Sequence, residues 1–266
     1  MSKLLTRSLP RTIPMGDAKE ARQAWYGFRI ANGRKAATSL LTHPDGNAKL
    51  HKAAVPTYGL SLAPASESGF NVCPKSTPEC RRGCVSFAGR GEAPSVQAGR
   101  ILRTEWFAAD PGNFVTLLAH EIGKAVKRHG EIGMRLNTFS DLPWHTLTPW
   151  LFEMFPDVHF YDYTKVWTRV DEDIPSNWHI TYSASERTTT DEIREMVRHR
   201  ENVAVVFKGK TLPTHMQVNF GPLPWSAPVA DGNVTDARWL DPAGVVVGLN
   251  AKGRMRYGDW KMARTA

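Results

Sequence analysis

The chain has 266 residues, of which 41% are hydrophobic, and its formal net charge is +8. These values predict a globular protein with one large core. They exclude a membrane-spanning chain, because no apolar run approaches the roughly 18 residues that a membrane span needs, and the first residues lack the hydrophobic segment of a signal peptide. We therefore predict a cytoplasmic protein with reduced thiols and no membrane partner.

The positive charge is concentrated in the amino-terminal part of the chain. Residues 1–104 contain sixteen Lys and Arg against six Asp and Glu, whereas residues 105–266 contain slightly more acidic than basic residues. Such a region favours a polyanionic partner, and we predict that the basic amino-terminal region binds nucleic acid. The alternative is a basic arm that serves only solubility.

The first 48 residues are predicted to form a basic arm with helices. Asp17 is a suitable cap for a helix that starts at Ala18, and the turn at Asn32 and Gly33 ends it. A second helix is predicted from Arg34 to Thr42. A regular pattern begins after this arm, with a strand over 57–63 that leads into a cysteine loop at 71–91.

Helices and strands alternate after the cysteine loop. The pattern predicts helices over 95–108, 115–128 (capped by Asn113), 148–155 and 190–200, and strands over 133–138, 158–164, 179–183, 202–207 and 244–249. About six strands separated by helices are typical of parallel crossover units. The predicted fold is therefore α/β, a partial or closed parallel (β/α) barrel over residues 49–252, followed by a basic carboxyl-terminal tail at 253–266.

The three cysteines of the chain, Cys73, Cys80 and Cys84, lie together in the cysteine loop with the spacing C-x6-C-x3-C. An odd number of thiols cannot all pair in internal disulfides, and a chain of this length does not need disulfides to hold a core, so the pattern favours a metal site. Three thiolates suit a [4Fe–4S] cluster with one open iron, or zinc if a fourth ligand comes from elsewhere in the chain. A loop without metal is the third alternative.

Polar residues follow each predicted strand, and in a parallel barrel such residues share the carboxyl edge where active sites form. The catalytic candidates are Asn137, Asp141, Asp162 and Lys165. The candidates for substrate binding are Ser140, Ser183, Ser185, Lys208 and, at the glycine-rich end of the cysteine loop, Arg90. The alternatives are a helix cap for Asp141, a turn residue for Asp162 and a surface charge for Lys165.

Several segments of the chain resemble the actinobacteriophage family called gene product eighty-eight, over nearly the whole length after Lys49. They include Val72-Cys-Pro, Ala88-Gly-Arg-Gly, Arg135-Leu-Asn-Thr, Phe160-Tyr-Asp-Tyr-Thr-Lys and Asp241-Pro-Ala-Gly-Val-Val-Val-Gly-Leu. The resemblance implies a phage gene expressed in a bacterial host cell, and it supplies no reaction.

The order of parts, a first strand, a loop with three cysteines and an alternating α/β remainder, also resembles radical S-adenosylmethionine enzymes. That resemblance implies that Cys73, Cys80 and Cys84 hold a [4Fe–4S] cluster whose open iron binds S-adenosylmethionine. The usual spacing in that superfamily is C-x3-C-x2-C, which differs from the spacing found here.

A third resemblance is to the guanine transglycosylases, barrel enzymes with a structural zinc site. It implies that Asp141 and Asp162 act as nucleophile and acid/base in base exchange. We predict first a phage-encoded metal- or iron–sulfur-binding barrel enzyme that modifies nucleic acid. The alternatives are the transglycosylase and a zinc-stabilised nucleic-acid-binding protein without catalysis.

Overall fold

The computed structural model describes residues 9–34, 39–44, 55–170, 173–218 and 225–265. The helices of these residues are α1 (Ala18–Ala31), α2 (Pro78–Arg82), α3 (Pro94–Ala109), α4 (Pro111–His129), α5 (Trp144–Leu147), α6 (Pro149–Met154) and α7 (Thr190–Arg198). The strands are β1 (Leu41–Thr42), β2 (Thr57–Leu60), β3 (Gly133–Arg135), β4 (His159–Thr164), β5 (Trp178–Ser183), β6 (Val203–Phe207), β7 (His215–Val218), β8 (Trp225–Asp231), β9 (Val246–Asn250) and β10 (Ala263–Arg264).

Local capping signals position the longer helices. The Asp17 side chain accepts hydrogen bonds from the first turn of α1, as predicted, and Thr189 and Glu192 form a reciprocal capping box on α7. Helix α4 ends at Gly130, whose φ of 75° suits glycine. The predicted cap Asn113 is wrong, because Asp110 caps α4 and accepts the hydrogen bond from the Asn113 backbone.

The strands form one mostly parallel sheet in the order β1-β2-β3-β4-β5-β6-β9-β8-β7. The central strands from β2 to β9 pair in parallel, and β8 pairs in parallel with β9. Strands β1 and β7 pair antiparallel with β2 and β8, and β10 lies parallel beside the end of β6. The carboxyl ends of the predicted strands therefore meet at one edge, which we call the carboxyl edge.

The α/β class and the six predicted strands are confirmed, but the barrel is not. No hydrogen-bonded pairing in the described ranges joins β1 to β7, so the sheet is open. An antiparallel strand ends the sheet on each side, where another crossover unit would have to continue a barrel. A short 3₁₀ helix at Arg238–Leu240 covers part of one face, with the Trp239 ring stacked 5.0 Å from the His159 ring.

Sequence patterns missed the four strands β1, β7, β8 and β10. Strands β1 and β10 have two residues each, too few for any periodicity, and β8 contains Pro228, a residue typical of edge strands. The helix predicted over 34–42 is wrong at Leu41–Thr42, which form β1, and residues 35–38 of that prediction lie outside the described residues.

The main core lies between the sheet and the helices α1, α3 and α4. It contains the fully buried aromatic side chains of Trp106, Phe107, Phe114 and Trp144. A second core packs α7 against β5, β6 and β9 through Ile193 and Met196. Within the described part of the chain, no helix is long and apolar enough to cross a lipid bilayer.

Candidate functional site

The cysteine loop follows β2 and is tied to the loop that follows β3. The Val72 carbonyl accepts a hydrogen bond from the Asp141 backbone N–H at 2.8 Å. The Cys73 thiol donates a hydrogen bond to the Phe139 carbonyl at 3.3 Å. Its sulfur also accepts one from the Ala65 N–H at 3.3 Å. Burial raises the pKa of Cys73 to about 12. This thiol is therefore protonated at neutral pH unless a cation replaces its proton.

Cys80 lies on the short helix α2. Its backbone N–H is capped by the Thr77 hydroxyl at 3.1 Å, and the same hydroxyl donates to Glu186 Oε2 at 2.8 Å, which joins α2 to the end of β5. Burial raises the pKa of Cys80, and the nearby Lys165 ammonium opposes that rise. Cys80 therefore lies within electrostatic range of Lys165, which follows β4, and of Glu186, which lies in the turn after β5.

Cys84 directly follows Gly83, the C-cap of α2, and lies near the buried Arg100 of α3. Burial lowers the pKa of Arg100, and the charge that Cys84 carries as a thiolate opposes that effect. Arg100 donates to the Ser86 carbonyl at 2.8 Å and lies 4.3 Å above the Phe139 ring, so it fixes the loop around Cys84.

The three thiols lie within electrostatic range of one another. Negative charge on Cys84 and on Cys80 raises the pKa of Cys73, and negative charge on Asp141 acts in the same direction on both Cys73 and Cys80. Cys73, whose thiol contacts the Phe139 carbonyl, and Asp141, whose N–H donates to the Val72 carbonyl, lie in loops at the same edge of the sheet. We refer to Cys73, Cys80 and Cys84 as the thiol cluster.

Asp141 holds the loops of the site together. Its Oδ1 accepts hydrogen bonds from Thr164 Oγ1 at 2.8 Å and from the Arg169 guanidinium, and its Oδ2 accepts from the Lys165 N–H at 2.8 Å. Asp141 and Arg169 are both buried. Because every donor comes from the end of β4 or the turn after it, the carboxylate positions Lys165.

Asp162 and Asn137 form a hydrogen-bonded unit inside the core. Asp162 has no exposed surface and accepts from the Asn137 N–H at 2.6 Å and from Trp178 Nε1 at 3.1 Å. Burial raises the pKa of Asp162 to about 7. The Asn137 amide oxygen accepts from Ser140, Leu142 and Trp144. These contacts connect β3, β4 and β5 below the carboxyl edge.

Lys165 is the catalytic candidate with partly exposed surface. Its Nζ donates to the Ser183 carbonyl at 3.0 Å and to Ser183 Oγ at 3.1 Å, so the ends of β4 and β5 meet at this ammonium. Ser183 therefore lies beside Lys165, whereas the Ser185 hydroxyl accepts from the Arg187 N–H in the turn before α7.

The last two substrate-binding candidates lie apart from Lys165. Lys208 Nζ pairs with Asp259 at 2.8 Å, and its backbone N–H donates to the Arg264 carbonyl at 2.7 Å. Arg90 is exposed in the short 3₁₀ turn at Gly89–Glu92. The structure thus places Asp141 and Lys165 near the thiols, with Ser183 beside Lys165, and leaves Lys208 and Arg90 at the periphery.

Sequence reasoning missed three contributors to the site. Glu186 lies three residues after the end of β5, and its place in the polar segment there was its only signal. Arg100 and Arg169 lie on helical segments where a buried arginine has no sequence signature. The carboxyl-terminal segment 251–264 was also missed, although Cys80 packs against a small core that contains Met255 and Met262.

The donor set fits a soft metal, but the side chains do not surround a common point. In the ranges that the structure describes, no group of three His, Cys, Asp or Glu side chains is arranged to hold a metal ion. Thiolates are preferred ligands of zinc and of iron–sulfur clusters. Binding one centre therefore requires side-chain rotation or movement of α2.

These features define a mixed α/β protein with a three-thiol cluster at the carboxyl edge of an open, mostly parallel sheet. The family model described as Gene product 88 matches residues 34–265, and the chain therefore belongs to that family. The match confirms the resemblance predicted from the sequence and the bacteriophage origin, and it gives no support to the resemblance to radical S-adenosylmethionine enzymes. Among curated proteins and solved structures there is no match to this chain.

Proposed function

We propose that the chain is a phage-encoded enzyme that modifies nucleic acid at a metal centre held by Cys73, Cys80 and Cys84. The observation that carries this function is the placement of Cys80 near the Lys165 ammonium, in a loop whose three thiols interact electrostatically, at the carboxyl edge where active sites of parallel sheets form. A [4Fe–4S] cluster with one open iron is the first candidate for the centre and zinc is the second.

The protonation state of the thiols sets how metal binding should depend on pH. Burial raises the pKa of Cys73 and of Cys80, so both are neutral thiols at neutral pH. A bound cation would replace these protons and offset the mutual repulsion of the thiolates. Metal uptake is therefore expected to release protons and to strengthen as the pH rises.

Neighbouring side chains have distinct tasks in this function. Lys165 places a positive charge beside Cys80, where it stabilises a thiolate or an anionic substrate group. Glu186 fixes the start of α2 through Thr77, and Asp141 fixes the backbone of Lys165. When bound, the metal centre would supply Lewis-acid or electron-transfer chemistry. If the centre is a [4Fe–4S] cluster with one open iron, S-adenosylmethionine is the predicted cosubstrate.

The burial of Asp162 favours the metal centre over base exchange. A transglycosylase needs two carboxylates that touch the substrate. Asp162 has no exposed surface, and its oxygens accept hydrogen bonds from Asn137 and Trp178. We assign Asp162 to the support of the sheet.

Metal analysis of protein purified without oxygen tests the centre. We expect bound iron with inorganic sulfide, or one zinc per chain, and loss of that metal in Cys73→Ala, Cys80→Ala and Cys84→Ala. Ser76→Ala, in the same loop, is the matched control and should keep the metal. Metal-free protein whose three thiols all react with a thiol reagent after such a purification would contradict the proposal.

A second measurement tests the reaction. Mass spectrometry of nucleosides from phage DNA and host RNA should reveal a modified nucleoside that disappears when the Cys80→Ala gene replaces the normal gene. Metal binding without any such difference would leave a structural centre and would remove the enzymatic function.

A further inference from the structure

On the basis of the proposed function, we infer that single-stranded nucleic acid reaches the thiol cluster along a groove between residues 88–92 and residues 252–261. This surface, which we call the loop–tail groove, is formed by the glycine-rich end of the cysteine loop and by the carboxyl-terminal segment. Residues 88–92 belong to the basic region 1–104 that the sequence favours as the binding surface, whereas residues 252–261 lie outside it.

The loop–tail groove has a volume of about 560 Å³. Its lining residues are Ala88, Gly89, Glu92, Lys252, Gly253, Arg254, Arg256 and Tyr257. The two turns touch closely, because a Cβ at Gly253 would lie 3.0 Å from the Ala88 Cβ, and the φ of 53° at Gly253 also suits glycine. The Arg254 guanidinium lies 5.2 Å from the Phe87 ring, which fixes the two walls against each other.

Positive charge is concentrated on these two segments. Residues 75–92 and 252–264 together contain nine Lys and Arg against three Asp and Glu, an excess of six in a chain of net charge +8. Two of the three acidic side chains already form a hydrogen bond or an ion pair within the protein. Glu79 accepts from the Met262 N–H at 2.9 Å, and Asp259 pairs with Lys208. The groove therefore presents its arginines to solvent with Glu92 as the acidic residue in its wall.

Exposed aromatic surface accompanies the arginines. The Tyr257 side chain is 76% exposed at the groove, and the Arg82 guanidinium lies 5.3 Å from the Trp260 ring. Arginines that contact phosphates, combined with aromatic rings that stack on bases, are typical of single-strand binding. A duplex keeps its bases paired and offers no such faces, so the chemistry favours an unpaired strand.

The groove adjoins the thiol cluster. Cys84 precedes the short helix Val85–Phe87, which leads directly into the groove wall at Ala88. Met255, between the two groove arginines, packs against Gly83 and Cys80. A nucleotide held by Arg254 and Arg256 would therefore lie beside the loop that carries Cys80 and Cys84.

A second basic groove supplies a control for this inference. It has a volume of about 380 Å³ and is lined in part by Arg22, Tyr26 and Arg29 of α1 and by Lys124 and Arg128 of α4. Neither α1 nor α4 carries a thiol or a candidate site residue. Tyr26 is 61% exposed, which matches the exposure of Tyr257 closely enough for a paired comparison.

Fluorescence anisotropy with a labelled 20-nucleotide single strand and its duplex tests the groove. Arg254→Gln/Arg256→Gln should weaken binding of the single strand about tenfold or more and lower the salt slope by roughly 1.4, since each lost phosphate contact accounts for roughly 0.7. Tyr257→Ala should weaken binding by roughly tenfold through lost stacking. The matched variants Arg22→Gln/Lys124→Gln, with the same change in charge, and Tyr26→Ala should bind as wild type.

Three outcomes would overturn the inference: equal losses in the two pairs of variants, a larger loss in the α1 and α4 pair, or tighter binding of the duplex than of the single strand. Circular dichroism and thermal melting of each variant verify the fold. Cys80→Ala should lose metal and keep strand binding, whereas Arg254→Gln/Arg256→Gln should keep the metal. An experiment that contradicts strand binding at the groove is thus distinguishable from one that contradicts the metal centre.

Discussion

Asp162 illustrates how a single buried residue supports the site without touching it. Its carboxyl group has no exposed surface and receives hydrogen bonds from β3 and β5. The hydrogen bonds and the nearby Arg135 favour the ionised form, but burial outweighs them and raises the pKa of Asp162 to about 7. The sequence predicted Asp162 at a strand end, whereas the structure has it inside β4, where the packing of Trp178 and Asn137 encloses it.

The raised pKa of Asp162 predicts a pH-dependent free energy of unfolding. The pKa of an aspartate in the unfolded chain is about 3.9, whereas the pKa of Asp162 in the folded chain is about 7. Between these values the folded state binds more protons, so this residue's contribution to stability is present below about pH 4 and falls as the pH rises to about 7. Urea unfolding between pH 4 and pH 8 should show this fall in the wild type.

Asp162→Asn should reduce the fall because asparagine does not ionise. The control Asp157→Asn, in an exposed turn before the same strand β4, should leave the pH dependence unchanged. If the curve of Asp162→Asn runs parallel to that of the wild type, the assigned protonation of Asp162 is wrong.

At the scale of elements, helix α2 is held by contacts from distant parts of the chain. Its Glu79 carboxylate accepts hydrogen bonds from the backbone of Lys261 and Met262, and its C-cap Gly83 lies against Met255. Five residues are too few for a stable helix by themselves. The position of Cys80 therefore depends on the carboxyl-terminal segment.

Gly83→Ala should disturb this packing. The new Cβ would lie 2.7 Å from Met255 Cγ and 3.3 Å from the Glu79 carbonyl, so either α2 or Met255 must move. We expect a loss of about 1–3 kcal/mol in the free energy of unfolding, together with faster reaction of Cys80 with a thiol reagent.

Gly27→Ala is the matched control for that substitution. Gly27 is exposed within α1, and a Cβ there meets nothing within 4 Å. The change should stabilise the protein by about 0.5–1 kcal/mol through helix propensity and leave thiol reactivity unchanged. Stability of Gly83→Ala equal to or above that of the wild type would show that α2 does not need the close contact with Met255.

At the scale of the whole molecule, the carboxyl-terminal segment completes the sheet and covers the site. Strand β10 pairs with β6 through Ala263 and Arg264, and Arg264 donates to the Thr188 carbonyl before α7 at 2.5 Å. Met262 packs with Val206 and Cys80 in a small separate core. The segment predicted as a basic tail thus contacts the sheet, α7 and the cysteine loop.

Removal of residues 260–266 should expose this small core. We expect a lower melting temperature and faster reaction of Cys80 with a thiol reagent, because the small core against which Cys80 packs loses Met262 and Ala263. The truncated protein that also carries Cys80→Ser should show no fast-reacting thiol. Unchanged thiol reactivity after truncation would contradict the covering role of the segment.

Local signals in the sequence determined much of this protein. The cap Asp17, the apolar periodicity of α3 and α4 and the six strands after Pro56 follow from neighbours in the chain, and the spacing of the cysteines predicts a metal site. Tertiary structure decided what depends on residues far apart: the open sheet, the burial of Asp162, the contact of Lys165 with Ser183 and the placement of the carboxyl-terminal segment over Cys80. The physical reason is that capping and periodicity act within a few residues, whereas burial and strand pairing depend on which distant segments pack together.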